Sequence, residues 1–284
     1  FEEGSYKYVF RTTTMATQEN VAAARYITEH FPNLKTFSGI DPNYAWGQDA
    51  WADFTEAMKI LKPQSQIGTI VWPKLGAGQY GAEISALLGS DGEVVQNGLW
   101  GGDLEAYILQ AGPRGLLAKM PNIMLTGETV IERLGKDLPD GTILGGRGPN
   151  GAFAPQNALS RWFNKAYRDK YGFSPVYASY HMATAFLGVK AAYEKAQAAN
   201  KVKDPTIDQL IGAFEYLKFE SPSGTVDMAL GKGHQAVQPV PYGTVRNVDG
   251  KVTLINVKYY PPELISPPDG MKSVDWIRSG FKRN

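Results

Sequence analysis

The chain has 284 residues, a formal net charge of +1 and no cysteine. That length accommodates two domains. The evenly spread lysines and arginines offer no groove for nucleic acid and no patch for an anionic membrane. The missing cysteines exclude disulfides, zinc-thiolate sites and thiol catalysis. No apolar run approaches the ~18 residues of a membrane span, so direct membrane insertion is not expected. The start, "FEEGSYKYVFRTTT", carries neither the basic region nor the apolar core of a signal peptide. Either the protein is cytoplasmic, or a leader lies upstream of this sequence.

Residues 18–146 alternate between two periodicities. "LKTFSGI" (34–40) reads as a strand, and 49–61 places Ala50, Trp51, Phe54, Met58 and Leu61 on one helical face. The alternation continues with strand 67–72, helix 79–89, strand 93–98, helix 103–111, strand 122–126, a short helix at 129–135 and strand 142–146. Strands and helices joined by short links predict a doubly wound parallel sheet. After Gly145 the pattern changes. A glycine- and proline-rich break, "GGRGPNGAFAP", precedes helical stretches at about 156–170, 177–199 and 206–217, with no strand between them. From about 235 the chain becomes extended, with Asp249-Gly250 as a hairpin turn. "MKSVDWIRSGF" reads as a short final helix. The middle segment thus has helices but no sheet for them to cover.

"WPKLGAGQYGAEISALL" (72–88) holds a literal G-x-G-x-x-G at Gly76, Gly78 and Gly81, between an apolar run and a helical one. Such a loop could cradle a dinucleotide pyrophosphate. Three features argue against that reading. Pro73, Lys74 and Leu75 separate the strand from the first glycine. The next strand ends on Asn97 and Gly98, not on an acidic residue. With 31 glycines in the chain, a chance match is unsurprising.

Ligands of open α/β sheets bind beyond the carboxyl ends of the strands. Three loops there carry Tyr44 and Trp46, Trp100 with Gly101 and Asp103, and Glu128. Aromatic walls and a carboxylate, with glycines leaving room, suit a small organic molecule or an ammonium group. The plainer reading is that each tryptophan packs against its own helix. Catalytic motifs are absent: there is no G-x-S-x-G, no H-E-x-x-H and no histidine pair at metal-ligand spacing. His30 reads as a helix-end residue, His181 as a packed one and His234 as structural. Glu128 and Asp103 could form an acid-base pair, although 28 acidic residues make such pairs common by chance.

Seven stretches in order resemble the type I periplasmic substrate-binding proteins of ABC importers, in the leucine/isoleucine/valine-binding group. They are "YVFRTTTMATQENVAAARYI", "GIDPNYAWGQDAWADF", "VVQNGLWGGDLEAYILQA", "IMLTGET", "DLPDGTILGGRGP", "SPVYASYHMATAFLGVKAAYEKA" and "GHQAVQPVPYGTV". The resemblance implies two α/β lobes joined by three crossings that close on a small ligand. Residues 12–149 and 233–284 would form lobe two, and 1–11 with 150–232 the remainder of lobe one. The crossings would lie near 12, 147–149 and 233. The first strands of lobe one, and a signal peptide, would belong to a stretch upstream of Phe1.

It further implies an extracytoplasmic receptor without enzymatic activity, cofactor or metal, partnered by a membrane permease. Trp46 and Trp100 take the places of two pocket tyrosines. Glu128 takes that of the carboxylate that meets a ligand's ammonium, and Tyr177 that of an aromatic cap from lobe one. Tryptophan for tyrosine changes the pocket volume, so amino acids, amides and aromatic acids all remain candidate ligands. A ligand sensor of the same fold is the alternative, and a nicotinamide enzyme rests on the glycine loop alone.

Overall fold

The computed structural model describes Glu2 and residues 6–283. Residues 1 and 3–5, at the start of the segment assigned to lobe one, lie outside the described residues. The strands are β1 (Thr36–Ile40), β2 (Gln66–Val71), β3 (Val94–Asn97), β4 (Asn122–Met124), β5 (Ile143–Gly145), β6 (Lys218–Ser221), β7 (Gly224–Leu230), β8 (Gln235–Val237), β9 (Val240–Val248) and β10 (Lys251–Tyr260). Seven form one sheet in the order β10-β9-β5-β4-β3-β1-β2. Strands β1 to β5 run parallel, whereas β9 and β10 are antiparallel additions at one edge.

Successive strand residues face opposite sides, so a sheet covered on both faces needs two apolar sets. Phe37, Val94, Ile123 and Ile143 pack under the helices Ala16–His30 and Ala45–Leu61. Ile40, Val95, Met124 and Leu144 face the helices Gly81–Leu88 and Gly102–Ala111. The expected parallel sheet is therefore present. The Asp249-Gly250 turn joins β9 to β10 with positive φ at both residues, 51° and 81°, as a two-residue hairpin requires.

The middle segment does have a sheet of its own, contrary to the expectation of none. Antiparallel β6, β7 and β8 pack against the helices Tyr177–Asn200 and Ile207–Phe214. Strand β6 is four residues long with alternating burial. "KFES" is too short and too polar to stand out from the end of a helical run. The helical spans follow local chemistry. Asn157 caps Ala158–Tyr171 by accepting from Ser160 N, and Gly172 ends that helix at φ 80°. In the long helix Tyr177–Asn200, a Cβ at position 188 would run into the Phe214 and Phe219 rings, which is why glycine sits at that contact.

Three chain passages connect the two sheets: residues 12–14, the 146–150 loop, and Gln238-Pro239 between β8 and β9. They meet at Gly148. A Cβ there would lie within 4 Å of Thr14 and of Gln238. Its φ of 101° is one that L side chains rarely adopt.

Candidate functional site

The loop after β1 leads into the helix Ala45–Leu61 through "DPNYAW". Gly47 holds that entry because any Cβ there would overlap the Pro42 carbonyl. This places Tyr44 and Trp46 at the carboxyl edge of the sheet, their rings stacked with centroids 6.3 Å apart. Trp100, after β3, donates from Nε1 to the Tyr44 hydroxyl at 3.1 Å, and its side chain is 36% exposed. Gly101 follows as the N-cap of Gly102–Ala111 at φ 57°, with open space where a Cβ would project. Tyr44, Trp46, Trp100 and Gly101 thus come together as one aromatic shelf.

Tyr177 reaches the shelf through a residue that the sequence reading placed only on a crossing. The Arg147 guanidinium lies 5.3 Å from the Trp46 ring and 5.0 Å from the Tyr177 ring. Cations held this way are attracted to the ring faces. Its Nε donates to both carboxylate oxygens of Glu19, at 3.1 and 3.2 Å. Glu19 is fully buried, whereas the Arg147 side chain stays 20% exposed. Burial works against the arginine's charge, but Glu19 and Tyr177 outweigh it and raise its pKa. Arg147 also adopts φ 50°, a left-handed conformation that non-glycine residues avoid unless their surroundings impose it. Asn150 supplies that constraint. Its side-chain amide donates to the carbonyls of Gly146 and Arg147, and its Oδ1 accepts from Ser223. Neither Arg147 nor Glu19 was singled out in the sequence as a ligand-binding candidate. The available signal was a lone cation inside a glycine-rich break.

Glu128 is 4% exposed and lies at the junction of the loop after β4 with the helix Tyr177–Asn200. Its Oε1 accepts from the backbone N–H of Tyr177, the first residue of that helix, at 2.6 Å. Gly151 permits the approach, since a Cβ there would overlap the carboxylate. Burial pushes the Glu128 pKa up to about 8, against the lowering effect of the Tyr177 N–H. His181, one turn along the helix, has its Nε2 3.1 Å from the Arg147 carbonyl oxygen and 3.2 Å from Asn150 Nδ2. Burial first, and then Arg147, lowers its pKa to about 4, so the ring is neutral at pH 7.

Beneath the shelf, Asp41 is fully buried. Its Oδ1 accepts from Gln96, and burial raises its pKa well above the carboxylate range. Gly98 lies directly against it, because a Cβ there would overlap Asp41 Oδ1 and touch the Trp46 ring.

The glycine loop differs in kind. Gly76 and Gly78 adopt φ of 74° and 65°, so they do make the turn. However, Asp103 Oδ2 accepts from Gly76 N at 2.7 Å, and Gln110 bonds both Tyr80 N and the Gly78 carbonyl. Side chains of the protein occupy the amides that a phosphate would need, and one of those side chains is anionic. Asp103 serves this loop and Glu128 serves Tyr177, so the two do not act as a pair. Among the described residues no cluster of three or more His, Asp or Glu could hold a metal ion, and no helix is long and apolar enough to cross a membrane. A cavity of about 1050 Å³ beside the first crossing is lined by Arg11, Met15, Asp53, His234 and Met271, among others, and by no shelf residue.

The fold agrees with what known proteins show. The profile of a family described as periplasmic binding protein matches residues 2–251. A solute-binding protein of an ABC transporter from Rhodopseudomonas palustris BisB5, in complex with 3,4-dihydroxybenzoic acid, superposes with a TM-score of 0.75 at 18% identity. That alignment covers 89% of this chain and 68% of the other. A leucine-binding protein from Thermotoga maritima gives 0.73 at 16% identity, covering 92% and 70%. An amino acid ABC transporter substrate-binding protein from Pseudomonas fluorescens Pf-5 gives 0.71 at 17% identity, covering 90% and 67%. No curated protein sequence matches. With a profile spanning most of its length and this α/β architecture, the chain belongs to the periplasmic binding protein family.

Proposed function

We propose that this chain is the ligand-capturing part of an ABC importer's receptor, working outside the cytoplasm and handing its ligand to a permease. The ligand is a small amino-acid-like or related organic molecule. It is held on Tyr44, Trp46 and Trp100, with room left by Gly101 and Tyr177 closing from the other lobe. The observation that carries this reading is the meeting of the shelf and the Tyr177 end of a helix from the other sheet across Arg147. The lobes are 12–149 with 238–284, and 1–11 with 150–237, because β8 pairs with β7 and so moves the third crossing from the expected place near 233 to Gln238-Pro239. Because the three passages meet at Gly148, closure is a rigid-body rotation about a narrow hinge. The structural neighbours named for leucine and for a hydroxylated benzoic acid bracket the size range.

Within this reading Glu128 docks the helix of lobe one onto the loop after β4. Its carboxyl is largely protonated at pH 7, and its Oε1 is taken by Tyr177 N. An amino-acid ligand would have to draw it out of that contact to seat an ammonium there. Calorimetry and thermal unfolding with leucine, benzoate and benzamide test the reading. At least one compound should bind saturably and raise the melting temperature with concentration. If none of the three does so, the receptor reading fails.

A further inference from the structure

We propose that Arg147 recognises a carboxylate of the ligand, so that the ligand is an organic acid oriented by its negative charge rather than by an ammonium. This rests on the receptor reading above and specifies its ligand chemistry.

Two aromatic rings flank the Arg147 guanidinium, at 5.3 and 5.0 Å, and one of its edges is engaged through Nε with Glu19. A guanidinium has five N–H bonds in a fixed plane, and carboxylates bind along its edges two bonds at a time. Glu19 uses the Nε bond and leaves the terminal Nη1 and Nη2 edge, where the Tyr177 phenol is a further partner. The side chain keeps 20% of its surface exposed and adjoins a shelf whose outer member, Trp100, is exposed as well. A planar acid lying over Tyr44 and Trp46 would place its carboxylate against this edge and its apolar body on the rings.

The local charges point the same way. Glu19 interacts with Arg11 as well as with Arg147, so two guanidinium groups share one buried carboxylate, and Arg11 also feels Glu2. His181 contributes no positive charge, Glu128 is bonded to a helix N-terminus, and Asp41 lies fully buried beneath the shelf. Arg147 is therefore the partly exposed charge at the shelf, whereas the carboxyls of Glu128 and Asp41 are buried and disfavoured as anions. The Glu19 carboxylate and the Trp46 and Tyr177 rings hold the guanidinium in place before a ligand arrives.

Arg147 also sits on the passage that meets the other two at Gly148, and Thr14 Oγ1 on the first passage donates to the same Glu19 at 3.0 Å. An acid bound on Arg147 thus engages the hinge directly.

The experiment compares benzoate with benzamide, and leucine with leucine methyl ester, by calorimetry on the full chain and on two variants. These are Arg147→Lys and the double variant Arg147→Gln/Glu19→Gln, which avoids leaving Glu19 buried without a partner. Whichever acid binds, its uncharged or esterified counterpart should bind about 100-fold more weakly, as for loss of one charged anchor in a desolvated site. The double variant should keep a cooperative melt and lose about as much affinity for the acid. Arg147→Lys should fall in between, since an ammonium keeps the charge but not the planar edge.

If benzamide or the ester binds as tightly as its acid, the carboxylate assignment is wrong while the receptor reading stands. The same holds if the folded double variant keeps wild-type affinity: Arg147 is then only a hinge strut. Failure of every probe instead removes the receptor reading itself.

Discussion

The loops after β1 and β2 leave the same edge of the parallel sheet, and both carry residues that suggest ligand contact. The first ends in an aromatic shelf whose outer rings are partly exposed and whose cation stays partly exposed beside the Tyr177 phenol. The second ends in three glycines whose neighbouring amides are already bonded to Asp103 and Gln110. The difference lies in which donors and faces remain open once the chain has folded. A motif supplies binding chemistry only if its polar atoms are not consumed internally.

The largest expected effect tests how the shelf's cation is anchored. Glu19→Ala, which strands the mostly buried Arg147, should destabilise the protein by about 3–5 kcal/mol, as breaking buried ion pairs does. Urea unfolding reads this directly, and a loss below about 1 kcal/mol would mean that Arg147 is solvated from elsewhere. Next is Trp46→Ala, which removes one of the rings facing Arg147. Affinity for whichever of leucine or benzoate binds should drop about 100-fold, as for a buried aromatic anchor. Unchanged affinity by calorimetry would take the shelf out of the site.

A smaller effect is expected from pH. Glu128 has a folded pKa of about 8, above its unfolded value, so the native state holds more protons and stability falls as pH rises toward 8. Asp53, buried and raised to about 7, adds to this up to that pH. His181 acts in the opposite sense, losing stability as pH falls from 6.5 toward about 4, so the interval from 6.5 to 8 isolates the carboxyls. The melting temperature should decline across that interval, and Glu128→Gln should remove Glu128's share of the decline while Asp41, also raised by burial, keeps the rest. A variant with the wild-type slope would mean that Glu128 ionises freely.

The smallest effect belongs to the glycine loop. Gly78→Ala meets no atom within 4 Å and is penalised only for its φ of 65°. It should lose about 1–2 kcal/mol and leave ligand affinity within twofold. Saturable NAD binding by wild type, abolished by this change, would reverse the comparison between the two loops.

Much of the molecule was legible in advance because its signals are local. Apolar period, caps and short links mark a doubly wound sheet, and Trp46, Trp100, Tyr44 and Glu128 lie in loops whose edge follows from parallel order. Tyr177 entered only through resemblance, since it comes from the far segment. The β6–β7 hairpin was missed, although "SPSG" between the alternating runs "KFES" and "TVDMAL" was its signal.

The sequence by itself determined the alternating elements, the edge where a ligand would sit and the aromatic character of that edge, because periodicity and turn chemistry act over a few residues. Only the tertiary structure decided that Arg147 lies beside both Trp46 and Tyr177, that Glu19 neutralises it from 128 positions away, and that Asp103 fills the glycine loop. Those outcomes depend on which side chains meet across distant segments and which donors they use up, and no local pattern encodes that.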